Sequence, residues 1–265
     1  MNMNKIMLML NIKSMNALPV MERWLLRTHA PETVSRVGPW LTRYQSYRAV
    51  PPPPEMHKDA EAYGYYNWRI TELWTGESAL PQSGILPQEF FPEYAGILGL
   101  PTDVADAETW RNDSRQSARC MVPARPTNDF KGDQIPVFDY PSILRWVTMS
   151  KLPPGVSADA ADDWFVNTHA PELLEHRDLK RLVSWRVIPT GRSWDWYRVT
   201  EHWFEDFDGW RRATIENPPN FTRPDWAAHE SYPFFAPYAD FCSTFVLETP
   251  TNCFLPAYGD YVPSV

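Results

Sequence analysis

Short runs of aliphatic and aromatic residues alternate along the chain with longer amphipathic stretches, and the same order occurs twice. Period-two alternation and aliphatic runs predict four pairs of strands, at residues 5–13 and 142–151, Leu41–Val50 and Arg181–Ile188, Tyr65–Trp74 and Trp196–Phe204, and Arg119–Val122 and Ser243–Glu248. Helical spacing covers residues 19–36 and 159–176, and weaker helical patterns cover 87–99 and 205–216. Each half is therefore predicted to contain strand, helix, strand, strand, helix and strand.

Three short motifs recur in the same order, which indicates an internal duplication. They are Thr28–Glu32 and Thr168–Glu172, Arg69–Trp74 and Arg198–Trp203, and Pro126–Phe130 and Pro250–Phe254. The copies are 140, 129 and 124 residues apart, so the first half carries insertions, one of which fits the stiff Pro51–Pro54 loop. We predict an α+β fold of tandem ferredoxin-like βαββαβ modules, residues 1–135 and 136–265, that form an intrachain pseudo-dimeric α/β barrel.

The repeated motifs resemble those of the EthD-like branch of the dimeric α/β-barrel superfamily. The resemblance rests on Trp24 with His29-Ala30-Pro31, on Pro39-x-Leu41-x-Arg43-Tyr44 and on Glu72-x-Trp74. The second half matches through Trp164, His169-Ala170-Pro171 and Thr200–Phe204, and lacks the Pro-x-Leu-x-Arg-Tyr element. The resemblance implies that two sheets enclose a cavity. Members of this superfamily include cofactor-independent monooxygenases, polyketide cyclases, decarboxylases, isomerases and proteins with no known activity, so the fold alone does not define the reaction.

Composition narrows the class of partner. A net charge of −8 without a basic run argues against nucleic acid, and no apolar stretch is long enough to span a membrane. Three cysteines without metal or redox spacing favour a reducing compartment, and we expect a cytoplasmic protein. The 13 Trp, 13 Phe and 12 Tyr are numerous enough to line a pocket for a hydrophobic small molecule. A homodimer also remains an open expectation.

Two histidines are the first candidates for catalysis. His29 and His169 each precede an Ala-Pro pair within the first helix of a module, where proline should kink or restart the helix. Their near-neutral pKa suits acid–base chemistry. A structural role between helix and sheet is the alternative for both.

Two glutamates on the third strands are the predicted partners of these histidines. Glu72 and Glu201 lie between apolar neighbours, and a carboxylate in such surroundings is rarely buried without a partner. We expect each to accept a hydrogen bond from the histidine of its own module, either for catalysis or as a structural tie.

The other face of the same strands supplies the candidates for substrate binding. Arg69 and Arg198 could hold an oxyanion if that face lines the cavity, and are surface charges if it does not. His202 replaces Leu73 of the first module, which favours the second module as the active one. The aromatic candidates are Trp185, Trp196, Tyr197 and Trp203, with core packing as the alternative. Tyr232, Phe234, Phe235, Tyr238 and Phe241 are predicted to form a second wall or an interdomain contact.

The sequence therefore predicts a cofactor-independent lyase or isomerase that acts by proton transfer on a hydrophobic aromatic or polyketide-like molecule. His169 with Glu201 is the leading acid–base pair, with Arg198 and His202 as stabilisers of negative charge. A cofactor-free monooxygenase and a binding protein without turnover are the alternatives. We find no phosphate loop, hydrolase elbow or paired-cysteine motif, and so expect neither a cofactor nor a metal.

Overall fold

The computed structural model describes residues 3–12, 14–76, 117–131, 143–189 and 196–255. The helical pattern predicted at 87–99 and the module boundary predicted between 135 and 136 lie outside these ranges. Ten strands are described: β1 Met3–Leu10, β2 Leu41–Arg48, β3 Arg69–Gly76, β4 Ser117–Pro123, β5 Asn128–Lys131, β6 Leu144–Lys151, β7 Arg181–Arg186, β8 Trp196–Phe204, β9 Phe241–Leu247 and β10 Asn252–Leu255.

The strands form two antiparallel five-stranded sheets with the same topology. Sheet A has the order β10-β2-β3-β1-β4 and sheet B the order β5-β7-β8-β6-β9. The four strands that each module contributes to its own sheet stand in the ferredoxin-like order, with the second strand beside the third and the first strand between the third and fourth. The predicted tandem ferredoxin-like fold is confirmed.

The fifth strand of each sheet comes from the other half of the chain. β5 follows β4 of sheet A in the chain but pairs with β7 of sheet B. Likewise, β10 follows β9 of sheet B but pairs with β2 of sheet A. The repeated Pro-Thr-Asn motifs lie at the start of β5 and β10, where no strand was predicted from the sequence. The motif threonine fixes this register, because Thr127 and Thr251 accept hydrogen bonds of 2.9 Å from the backbone N–H groups of Arg186 and Arg48.

One face of each sheet packs against the other sheet. Met7, Ile70 and Cys120 of sheet A meet Val147 and Val199 of sheet B in a single buried cluster. A backbone hydrogen bond also links the two halves of the chain here, because the N–H of Tyr66 donates to the carbonyl of Ser243 at 2.7 Å. Gly64 has a φ of +61°, and a Cβ there would lie 2.5 Å from the backbone oxygen of Phe241, so this close approach requires glycine.

Helices cover the outer faces of both sheets. The described helices are α1 Leu18–Trp24, α2 Ala30–Val37, α3 His57–Ala62, α4 Ala158–Trp164, α5 Ala170–Leu174 and α6 Phe207–Arg211. Single π-helical turns join α1 to α2 at Leu25–His29 and α4 to α5 at Phe165–His169, and a third extends α6 over Arg212–Glu216. Within the described ranges, no helix is both long and apolar enough to cross a membrane.

The paired π turns explain the spacing of the tryptophan and histidine motif. Pro31 and Pro171 have no N–H to continue the α-helical pattern, so the preceding turn widens. In the wider turn, side chains five residues apart lie next to each other on the same face of the helix. Trp24 stacks on His29 with ring centroids 4.5 Å apart, and Trp164 stacks on His169 at 4.7 Å. The expected interruption of the helix is confirmed, and it takes the form of a π turn within a continuous helix.

Candidate active site

A small pocket lies between sheet B and its covering helix, rather than between the two sheets where we expected it. Its polar lining comes from β6, β8 and the π turn, namely Thr148, Ser150, His169, Arg198, Thr200 and His202. Its aromatic lining comprises Trp164, Phe165, Tyr197, Trp226, Tyr232, Phe235 and Phe241. The cavity volume is about 40 Å³, which is room for about three water molecules.

His169 lies in this pocket among aromatic rings. Besides the stack on Trp164, its ring lies 5.3 Å from that of Phe221 and 5.5 Å from that of Tyr232. Burial, assisted by the nearby His202, lowers the pKa of His169 to about 3, so the imidazole is neutral at pH 7. Its Nδ1 has no hydrogen-bond partner among the described residues. A neutral imidazole with an unpaired nitrogen in an apolar pocket is able to bind a polar group of a ligand.

His202 faces the same pocket from β8. Its Nδ1 donates a hydrogen bond to the carbonyl of Trp146 at 3.3 Å, which leaves Nε2 as the acceptor nitrogen of the neutral ring. Burial lowers the pKa of His202 to about 4. The pocket therefore contains two neutral imidazoles, and the one on β8 has its tautomer fixed by the backbone.

Arg198 lines the pocket but is held by other groups. Its guanidinium pairs with the carboxylate of Asp162 on α4 and donates to Ser184 and to Asn128, which comes from the exchanged strand β5. Tyr197 also donates to Asp162. The predicted face of Arg198 is correct. Asp162 neutralises its charge, however, so Arg198 positions the strand and the helix rather than presenting an open cation to a ligand.

The first module repeats this arginine network with equivalent residues. Arg69 donates to Glu22 of α1 at 3.0 and 2.5 Å, to Ser46 at 3.2 Å and to Asn252 of β10 at 3.0 Å. Burial alone would raise the pKa of Glu22, but the hydrogen bonds from Arg69 and Arg48 outweigh it and lower the pKa to about 2. Because both modules have the network, it serves the fold rather than a reaction.

The rest of the first module differs from the second at the positions that line the pocket. Leu8 and Leu73 occupy the positions of Thr148 and His202, and they pack in an aliphatic cluster with Ile6 and Ala30. His29 remains, stacked on Trp24, and burial lowers its pKa to about 4. Thr148, Ser150 and His202 are thus the polar lining residues that are particular to the second module.

The predicted pairing of histidine with glutamate is wrong in both modules. Glu72 and Glu201 lie on the faces that meet between the sheets, opposite the faces that carry Arg69 and His202. Glu72 accepts a hydrogen bond from Lys5 at 3.3 Å, and Glu201 accepts one from Arg145 at 3.2 Å. The basic partners are Lys5 and Arg145, which occupy equivalent positions in the first strands of the two modules.

Three predicted aromatic residues also lie between the sheets or at their margin rather than in the pocket. Lys5 lies 4.2 Å above the ring of Trp185, and Lys151 lies 4.9 Å above that of Trp196. Trp203 donates to Glu248 at 2.7 Å. Of the first predicted set, only Tyr197 lines the pocket. Tyr232, Phe235 and Phe241 of the predicted second wall also line it, whereas Phe234 and Tyr238 are not among its lining residues.

Thr148, Ser150 and Trp226 line the pocket although the sequence pattern did not predict them as lining residues. Thr148 and Ser150 are hydroxyl residues at alternate positions of β6, where the first module has Leu8 and Leu10. That difference between the repeats was a usable signal. The structure also shows no group of three or more His, Cys, Asp or Glu side chains placed to hold a metal ion in the described ranges.

Comparison with known proteins gives one partial family match. The family model of the chalcone isomerase N-terminal domain matches residues 1–98, and no curated protein matches the chain. Among solved structures, the chain is similar to an anthrone oxidase-like protein, with 8% identity, a TM-score of 0.48, and coverage of 100% of this chain and 96% of that one.

Two further solved structures are similar over most of their length. A monooxygenase-like protein from Lactobacillus acidophilus has 8% identity and a TM-score of 0.34, with 96% of both chains covered. A chlorite dismutase from Candidatus Nitrospira defluvii has 9% identity and a TM-score of 0.38, with 92% of this chain and 90% of that one covered. Such identities carry no information about the reaction, so the two-sheet topology described above defines the fold.

Proposed function

We propose that the pocket of the second module is the active site of a cofactor-independent lyase or isomerase of EthD-like type, and that it acts on hydrophobic aromatic or polyketide-like molecules. The observation that carries the proposal is the convergence of His169 and His202, both neutral, in a pocket walled by aromatic rings. The aromatic walls favour a planar apolar substrate, and the two imidazoles supply an acceptor and a donor for its oxygen atoms.

His202 is the proposed base. Its Nδ1–H is engaged by Trp146, so Nε2 has the free electron pair that accepts a proton from a phenol or an enolisable carbon. A pKa of about 4 rather than 6.5 lowers its basicity by about 3 kcal/mol. An anion formed beside the new imidazolium restores part of this loss, because the two charges attract each other in an apolar site.

His169 is the proposed hydrogen-bond donor. A neutral imidazole carries one N–H, which stabilises the developing enolate oxygen of the substrate without delivering a full proton. The stack on Trp164 holds the ring in place. The roles predicted for Glu201 and Arg198 are not carried forward, because Arg145 and Asp162 engage them.

Substrate entry requires movement of the segment that covers the pocket. Residues 217–240, which we call the strap, contribute Trp226, Tyr232 and Phe235 to the lining. A cavity of about 40 Å³ is far below the volume of about 300 Å³ or more that is usual for a small-molecule site. Because the strap contains no helix or strand, it is the part of the wall that we expect to open.

The proposal is tested with two aromatic carbonyl compounds, 2′-hydroxychalcone and anthrone, under argon and in air. In the isomerase reaction the phenol proton passes to His202, the phenoxide oxygen bonds to the β-carbon of the enone, and the α-carbon takes the proton back. This reaction needs no oxygen. Oxidation of anthrone consumes one O2 and gives anthraquinone and water, so turnover only in air would support a monooxygenase or oxidase instead.

Matched variants separate catalysis from folding. His202→Leu introduces the residue found at the same position of the first module, and we expect a loss of turnover of about 100-fold or more. His29→Gln alters the equivalent histidine of the first module and should leave turnover unchanged. Ligand-dependent quenching of Trp fluorescence without product from either compound, or full activity in His202→Leu, would contradict the proposal.

A further inference from the structure

The arginine networks of the two modules differ at one nitrogen atom. In the first module the carboxylate of Glu22 accepts from both Nε and Nη2 of Arg69, at 3.0 and 2.5 Å. In the second module the carboxylate of Asp162 accepts from Nη2 of Arg198. Nε of Arg198 is buried and has no hydrogen-bond partner among the residues that the structure describes.

The difference follows from the acidic residue. Asp162 occupies the position of Glu22 and is one methylene group shorter. Its Oδ2 is held at 2.5 Å by Nη1 of Arg186, and its Oδ1 accepts from Tyr197 as well as from Arg198. Both oxygens are thus engaged elsewhere, so the carboxylate does not cover Nε as Glu22 does in the first module.

The geometry of arginine directs this N–H toward the pocket. A guanidinium group is planar, and its Nε–H points in the same direction as one N–H of Nη2, which is why a single carboxylate can bind both. Nη2 of Arg198 reaches Asp162 on α4, so Nε–H also points from β8 into the layer between sheet B and the helix, where the pocket lies. The guanidinium carbon lies 4.1 Å from the ring centroid of Phe165, which lines the pocket too.

The surroundings of Nε favour a neutral acceptor. A buried N–H without a partner is costly, and an oxygen atom of a ligand would remove that cost. The carboxylate of Asp162 lies beside the place that such an oxygen would occupy, because both bind the same edge of the guanidinium. A second carboxylate or a phenolate there would be repelled by Asp162, whereas an uncharged carbonyl oxygen would not.

We propose that Nε–H of Arg198 binds a carbonyl oxygen of the substrate away from the reacting atoms, and so selects neutral aromatic compounds that carry a second carbonyl group. This inference rests on the proposed function, because it names the class of aromatic molecule that the same pocket takes. His169 and His202 act at the reacting atoms, and Arg198 contributes one N–H to specificity. This role differs from the predicted one, in which an open cation stabilises negative charge.

Three matched naphthalene ketones test the selection by binding alone. They are 2,6-diacetylnaphthalene, 6-acetyl-2-naphthoate and 2-acetyl-6-ethylnaphthalene, which differ only in the second substituent. We expect the diacetyl compound to bind about tenfold more tightly than the ethyl compound, because it gains the bond from Arg198. The naphthoate should bind more weakly than both, since its charge faces Asp162. Equilibrium dialysis measures the three dissociation constants.

Asp162→Glu closes the site without changing any charge. The longer side chain should cover Nε of Arg198 as Glu22 covers Nε of Arg69, and the preference for the diacetyl over the ethyl compound should disappear. Binding of the ethyl compound is the control for a change in pocket shape and should stay the same. Glu22→Asp makes the reverse exchange in the first module and should leave all three affinities unchanged.

The arginine N–H signals in NMR spectra of protein labelled with ¹⁵N-arginine report the bond directly. The Hε signal of Arg198 should move downfield when the diacetyl compound is added, because this proton gains an acceptor. The Hε signal of Arg69, which Glu22 already binds, should not move. Asp162→Glu should shift the Arg198 signal without a ligand, which identifies it.

The proposal is overturned if none of the three compounds binds, if the wild type shows no preference for the diacetyl compound, or if folded Asp162→Glu retains that preference. The two proposals fail separately. A carbonyl preference that Asp162→Glu abolishes, combined with full chalcone turnover in His202→Leu, would keep the Arg198 site and remove the proposed function. Loss of turnover in His202→Leu, without a carbonyl preference in the wild type, would do the reverse.

Discussion

Asn252 accepts a hydrogen bond of 3.0 Å from Nη1 of Arg69, a residue 183 positions earlier in the chain. Its counterpart in the second module, Asn128, accepts a bond of 3.3 Å from Arg198. In both cases the asparagine comes from the exchanged strand and the arginine from the third strand of the receiving sheet. The arginine network thus holds a segment of the other half of the chain.

We expect Asn252→Ala to lower the free energy of unfolding by about 1–3 kcal/mol, because a hydrogen bond to a buried charged group is lost. Asn128→Ala is the matched variant and should have a similar effect through Arg198. Urea denaturation followed by Trp fluorescence measures both. Stability equal to that of the wild type in both variants would show that the exchanged strands are held by their backbone bonds alone.

Acid stability should depend on Glu22. Its folded pKa of about 2 lies below the ordinary 4.5, so its contribution is fully present above pH 4.5 and is lost as the pH falls toward 2. Because the carboxylate is only partly buried and solvent screens its interactions, the contribution is about 1–2 kcal/mol. Glu22→Gln should be less stable at pH 6 and should lose less stability between pH 4.5 and 2, as measured by urea denaturation at each pH. A slope equal to that of the wild type would contradict this.

Protonation of the buried histidines should weaken the fold in a range that begins at a less acidic pH and overlaps that of Glu22 below pH 4.5. His202 and His169 titrate near pH 4 and 3 when folded but near 6.5 when unfolded, so the unfolded chain binds protons first as the pH falls. Stability should therefore be complete above pH 6.5 and decrease from 6.5 toward 4. His202→Leu should show a shallower decrease in this range, whereas the decrease between pH 4.5 and 2 that depends on Glu22 should remain.

The ion pair of Arg145 and Glu201 between the sheets should show strong coupling. Arg145→Met leaves the Glu201 carboxylate buried without its partner and should cost about 3–5 kcal/mol. The double variant Arg145→Met with Glu201→Leu should recover most of that loss, because two apolar side chains can fill the same space. Urea denaturation of the two single variants and the double variant measures the coupling. If their changes in the free energy of unfolding are additive, the two groups do not interact.

The strap should open when its attachment to the helix is weakened. Backbone N–H of Thr222 donates to both carboxylate oxygens of Glu172 at 3.0 Å, and Nε1 of Trp164 donates to the Thr222 carbonyl at 2.9 Å. Glu172→Ala should therefore speed amide hydrogen exchange in residues 217–240 while leaving β6 and β8 protected. Equal acceleration throughout sheet B would indicate global destabilisation instead.

The duplication was the strongest sequence signal for the fold. Recurring motifs placed the strands of both sheets in the correct order, since each module had to satisfy the same backbone hydrogen bonds. The strands β5 and β10 were not predicted because four-residue strands have no measurable alternation, and their partners lie in the other half of the chain. No local sequence pattern indicates that a strand pairs with the other half of the chain.

The site was predicted in part, for a physical reason that concerns sheet faces. Alternation along β8 correctly separated Glu201 from Arg198 and His202, but it cannot tell which face meets helices and which meets the other sheet. The pairing of His169 with Glu201 assumed that helix and carboxylate share one side. Lys5 and Arg145, which are charged residues at equivalent positions of the two first strands, were the available indication that the glutamates had other partners.

The exchange of β5 and β10 makes the two halves of the gene product interdependent. Either half produced alone would lack the strand that borders its own second strand, and would retain a terminal strand with no sheet to join. Two copies of the same half could repair both defects by trading tails, which would reconstruct a symmetric dimer from a single repeat. Dividing the gene between the repeats would thus recreate the assembly from which a fused chain of this kind can arise.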